Sequence, residues 1–209
     1  MTMSGLALAG MSIPGFASAL APGRDIAASS LFSVVYDNGF PPSAAFGAAA
    51  GQHGYATHDI DGDVTGFWMN HLAPRWRHEP VAIAGLTHAS ALFVLERMGW
   101  DHGLRVVFRA QHRSQGNGRI EHQLGGPVAM LNAFEQAASE HPGLGACVAG
   151  MLARCYRPEP APSALAIPAR PRPGQDTAAD PAPLVSWVIA PRPSSASARN
   201  AFATVERIV

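Results

Sequence analysis

The chain has 209 residues, 47% of them hydrophobic, with 15 basic and 15 acidic side chains and a formal net charge of zero. That composition supports an ordinary apolar core. It excludes the basic footprint of a nucleic-acid binder and a polybasic membrane patch. Every basic residue is arginine, which also excludes Schiff-base or P-loop chemistry through lysine.

The chain opens on a short apolar run, Gly5 to Ala21, that ends in small residues at alternate positions, Ala17-Ser18-Ala19 or Ala19-Leu20-Ala21. This is the form of a secretory h-region followed by a cleavage site. It predicts a removable leader over 1–21 and a periplasmic or secreted protein; without a working signal the chain would be cytoplasmic. The run resembles the second half of a twin-arginine export signal. The Arg-Arg pair of that signal is absent, and the first arginine is Arg24. The run is too short and too rich in Gly, Ser and Pro to span a membrane, so no span is expected in the mature chain.

After the leader, Ser30 to Tyr36 is a β-rich apolar run closed by the turn Asp37-Asn38-Gly39. Pro41-Pro42 opens a small-residue helix over 43–52, ended near Gly54. A short strand is expected near 55–60, then a helical stretch over 64–72 stopped by Pro74. Val81 to Ala84 reads as a short buried strand, 85–88 as a turn and 89–100 as a helix. Leu104 to Ala110 is the next strand. A turn over 114–118 leads to a return strand over 119–124, then helices over 127–139 and 144–156. Residues 157–183 carry many prolines and no periodicity, which predicts an extended, poorly ordered excursion. Leu184 to Ala190 is a strand returning to the sheet, placed at an edge because Pro191 follows. Residues 192–209 form a tail whose last residues suit a short helix or strand.

Short apolar strands alternating with helices of ten to twelve residues predict βαβ units. The expected fold is therefore a single α/β domain over 28–156, with a mostly parallel sheet covered by helices on both faces. The Pro-rich insertion precedes its last strand, 184–191. Cys147 and Cys155 are eight apart, about 12 Å along a helix, beyond disulfide reach. Two buried thiols on one helix are expected.

In an open parallel sheet, ligands bind outside the carboxyl ends of the strands. Four polar groups follow predicted strands: Asp37 and Asn38; Asp59, Asp61 and Asp63; Thr87 and His88; His112 and Arg113. If the strands are neighbours, these residues share one rim and form a polar or metal-binding pocket. The competing reading is that they are turns and helix caps.

Asp59-Ile60-Asp61-Gly62-Asp63 resembles the start of an EF-hand calcium loop. Val64 and Asn70 then stand where that loop needs Gly and a bidentate Glu. The same stretch resembles the Asp-x-Asp-Gly-Thr loop of haloacid-dehalogenase-like phosphatases, with Asp63 in place of Thr. Gly85-Leu86-Thr87-His88-Ala89 resembles the nucleophile elbow of α/β-hydrolases. Thr replaces Ser and Ala89 replaces the last Gly; Asp101 and His112 or His122 would complete a triad. The blander use of Thr87 is to cap the following helix, whose free N–H groups would face the rim and suit an anion. Eight of nine histidines fall between His53 and His122, yet none shows zinc-ligand spacing. Trp68, Arg75, Trp76 and Arg77 suit a partner surface or the packing of a helix on the sheet.

These readings converge on an exported α/β protein that binds a small molecule or assists a protein partner through the rim. A hydrolytic or metal-assisted enzyme on the same rim, or a subunit docked through the Trp/Arg stretch, is the alternative. No particular cofactor or metal follows from the residues.

Overall fold

A computed structural model describes residues 30–115, 119–159, 183–191 and 202–208. The leader over 1–21, the Pro-rich stretch over 160–182 and residues 192–201 lie outside the described residues. The first strand, β1 (Ser30–Tyr36), is buried on both faces from Ser33 onward. Helix α1 (Pro41–Gln52) follows, then β2 (Thr57–Asp59), which pairs parallel with β1. The next helical run is longer than Pro74 alone would allow. Thr65–Phe67 (α2) passes into a π-helical turn, Trp68–Leu72, and then α3 (Ala73–His78). Proline has no N–H to donate. Here the widened turn ahead of Pro74 lets the helix continue instead of stopping it.

Strand β3 (Ala82–His88) pairs parallel with β1 and runs directly into α4 (Ala89–Trp100). Strand β4 (Leu104–Ser114) and β5 (Ile120–Pro127) form an antiparallel pair. Helices α5 (Val128–Glu140) and α6 (Leu144–Cys155) come next, then the two-residue β6 (Arg157–Pro158) beside the start of β1. Strands β7 (Leu184–Pro191) and β8 (Phe202–Ile208) complete the sheet. The order is β2-β1-β3-β7-β4-β5-β8.

The molecule is therefore an α/β protein, but its sheet is mixed rather than mostly parallel. β7 runs antiparallel between β3 and β4, so two strands expected to be neighbours are separated by the last long apolar run. The edge placement of 184–190 is corrected as well. β7 is buried over Leu184–Ala190, as a strand covered on both faces must be. Pro191 is tolerated because it is the terminal residue of the strand, where a missing N–H costs no interior ladder bond.

Two apolar layers flank the sheet. α1, α6 and α5 cover one face through Phe46, Met130, Phe134, Val148 and Leu152. The α2–α3 run and α4 cover the other through Phe67, Leu72, Trp76, Leu92 and Leu95. Small residues permit the closest approaches. A Cβ on Gly145 of α6 would lie 2.5 Å from the Phe46 nitrogen of α1, well inside contact distance. Cys147 and Cys155 are both buried free thiols on α6.

Candidate functional site

Chain order places the carboxyl ends of β1, β2, β3 and β4 at one end of the sheet, where antiparallel β5 and β7 begin. Between β1 and β3 the connections part. β1 leads through α1, on one face, outward to β2. β3 leads through α4, on the other face, toward β4. This parting of the connections is the position where open α/β sheets bind ligands.

This end of β1 and β3 is built from the Asp37–Phe40 turn, the start of α1 and His88 at the β3–α4 junction. Ser43 fixes it. The Ser43 hydroxyl accepts the Asp37 N–H at 2.8 Å and donates to the Leu86 carbonyl, so α1 is fastened to both strands. An Asp37 carboxylate oxygen accepts the Gly39 N–H at 2.9 Å and holds the turn. Asp59 Oδ1 accepts the N–H groups of Asn38 and Asp61, each at 3.1 Å, and ties the loops after β1 and β2 together. The Phe40 ring lies against the His88 imidazole, with centroids 4.1 Å apart. His88 Nε2 is buried and has no hydrogen-bond partner among the described residues. Neither α1 nor α4 has a side-chain cap or an acidic residue in its first turn. The first-turn N–H groups of α4 are thus uncompensated from within the helix, whereas α1 opens on Pro41-Pro42 and has no N–H at its first two positions.

A second polar group lies on the α5-covered face of the same end. His112 on β4 and His122 on β5 are cross-strand partners. Their Nδ1 atoms are 2.7 Å apart, and His112 Nε2 is 2.8 Å from Ser186 Oγ on β7. All three are buried, and Phe134 of α5 stacks on the His112 ring. Burial, then the nearby His122, pushes the His112 pKa down to about 3; burial also lowers that of His122. Both rings are therefore neutral at pH 7. Hydroxyl, imidazole and second imidazole follow the order of a nucleophile, base and orienting group. However, Ser186 is fully enclosed.

The remaining rim residues separate by face. The Thr65 hydroxyl, and after it the Thr65 N–H that Asp63 accepts at 2.8 Å, keep the Asp63 carboxyl below the usual range. Asp61 takes a left-handed φ of 46° beside Gly62. Asp59, Asp61 and Asp63 thus act on turns and a helix start, and no group of three metal-ligating side chains occurs among the described residues. Thr87 does not cap α4. It points to the opposite face, accepts the Trp187 indole N–H at 3.0 Å and donates to the His88 carbonyl. Alternation along β3 turns it away, and it is fully buried, so it is not an exposed elbow nucleophile. Arg113 lies on the face opposite His112, beside Gln111, Glu121, Gln123 and Glu206.

The Trp/Arg stretch divides in the same way. Trp76 is 1% exposed, in the core under α3, and its indole donates to the Val81 carbonyl. Its ring is therefore removed from any partner surface. Trp68 is half-buried against it, with centroids 5.8 Å apart. Arg75 pairs with Glu79 at 3.1 Å and Glu159 at 2.5 Å. Only Arg77 of the four is exposed. The aromatic exposure is elsewhere, at Phe93 and Trp100 on α4. A groove runs along Ala89, Phe93, Glu96, Arg109 and Gln111, beginning at the first residue of α4.

Phe40, Ser43 and Ser186 were not legible as site residues. His122 was, had the hairpin been closed on 117: a turn centred there places 112 opposite 122. No protein-family model matches the chain, and no curated protein or solved structure matches it.

Proposed function

We propose that the chain is an exported binding or accessory protein that holds a small polar ligand beyond the ends of β1 and β3. The observation that carries this reading is the combination at that switch point. His88 offers a buried nitrogen without a partner among the described residues, and the start of α4 follows it without a side-chain cap or an acidic residue in its first turn. A ligand with acceptor oxygens answers both, because helix N-termini and an imidazole N–H are donors. Export rests on the apolar run Gly5 to Ala21 and its small-residue end.

An enzymatic use of the same rim would draw on Ser186 and His112. The enclosed hydroxyl and the weak basicity of a ring held at about 3 favour binding over turnover, since a general base works best with a pKa near the operating pH.

The test is native mass spectrometry of the full protein purified from the periplasm of its source. Wild type should carry a retained small molecule that His88→Ala loses, with an unchanged far-UV spectrum and thermal midpoint. A bare monomer in both would sink the binding reading. Recovery of the protein only from the cytoplasmic fraction would sink the export reading, and an intact Met1 on the periplasmic protein would sink the cleaved leader.

A further inference from the structure

The pair His112–His122 stands apart from that site and has its own physical consequence. Two imidazoles whose Nδ1 atoms are 2.7 Å apart have room for one proton between them. His112 Nε2 already faces Ser186 Oγ at 2.8 Å. With neutral rings, either direction of donation along Ser186, His112 and His122 satisfies every contact. One added proton places a charge in the sheet with no carboxylate beside it among the described residues. A second sets two N–H donors face to face.

The described residues around the pair offer no compensation. Phe134 of α5 covers both rings, and Cys147 of α6 lies behind it, bonded to the Phe134 carbonyl. On β3 the titratable group of the same face is His88, separated from His112 by Leu184 in the register. Arg109 pairs with Glu96 of α4 at 2.6 Å on the opposite face, where Arg113 and Glu121 also lie. Glu140 and Arg154 of α5 and α6 pair with each other. Arg207 stands opposite His122 in the β8 register.

We propose that the His112–His122 pair is an acid-sensitive latch on the β4–β5 seam, whose protonation opens the β5–α5–β8 edge of the sheet before the β1–β3 half. The edge is the element set free because its inner border is the β4–β5 ladder that carries the pair. Protonation-driven release of buried histidines is a general way to bias such an element. The inference does not depend on what the ends of β1 and β3 bind.

Hydrogen exchange of the full chain at pH 7.5 and 5.0, corrected for intrinsic rates, reads the opening. Between an ordinary histidine pKa near 6.5 and pH 5.0, each histidine that must stay neutral when closed contributes roughly thirtyfold. Amides of Ile120–Pro127 and Val128–Glu140 should lose protection by at least that factor and at pH 5.0 exchange through an opening that leaves the amides of β1 and β3 better protected. The triple variant His112→Phe, His122→Leu, Ser186→Ala removes the pair without orphaning a partner and should abolish the pH effect. Unchanged protection of the edge amides at pH 5.0, or edge amides as well protected there as those of β1 and β3, overturns the latch. Should the triple variant not fold, nitrogen NMR of the wild-type imidazoles decides. Rings that stay neutral in the closed state at pH 5.0 support the latch; either ring titrating near 6.5 while β5 signals persist overturns it.

Discussion

Individual side chains at the ends of β1 and β3 differ in what they hold. Ser43 is fully buried and serves two main-chain groups at once, the Asp37 N–H and the Leu86 carbonyl. Ser43→Ala leaves both unsatisfied and should cost about 1–3 kcal/mol, read from urea unfolding with an unchanged slope. Gly85 is more restrictive. A Cβ there would lie 2.3 Å from Cζ2 of the Trp187 ring and 2.9 Å from the Val35 carbonyl oxygen. Neither a packed indole nor a sheet carbonyl moves easily, so Gly85→Ala should destabilise by about 3 kcal/mol or more. An equally stable Gly85→Ala protein would show that Trp187 has another place to go.

Element-level behaviour follows from pairing. The His112 pKa is depressed in the folded state relative to an ordinary histidine, and that of His122 is lowered too. The folded chain thus binds fewer protons than the unfolded one, and the associated stability is present above about pH 6.5. It is lost progressively as pH falls from there toward about 3. The urea midpoint should therefore drop between pH 7.5 and 5.0, and drop less in the triple variant His112→Phe, His122→Leu, Ser186→Ala. The α1–α6 contact makes a separate prediction. Gly145→Leu would push a side chain into α1 at Phe46 and Pro42 and should cost more than about 3 kcal/mol. The same leucine at Gly143, where a Cβ meets nothing, should cost far less.

For the whole molecule, the decisive element is β7. It supplies Trp187, Val188 and Ile189 to both cores and pairs with β3 and β4 along nearly its full length. A chain ended after residue 183 lacks the strand that joins the two halves of the sheet. It should show no cooperative thermal transition. A chain ended after Pro191 keeps β2-β1-β3-β7-β4-β5 and should melt cooperatively, with only the β8 pairing lost. Two similar melting curves would mean that β3 and β4 can close on each other without β7.

The sequence by itself determined the existence and type of most elements. Apolar period, Pro-Pro at the start of α1 and the strand-to-helix passage into α4 are local, and local signals survive in any fold. It also determined that Asp37, Asn38 and His88 would stand at strand ends. Tertiary structure alone decided where β7 inserts, because a near-continuous apolar run carries no information on its neighbours or its direction. The same distant pairing turned the sheet from parallel to mixed and brought Ser186 to His112. It also sent Thr87 to the face away from His88, since alternation along a strand assigns faces only once the register is fixed. Trp76 became core rather than surface for a related reason. An aromatic beside arginines reads alike in both settings, and only the packing of α3 against the sheet distinguishes them.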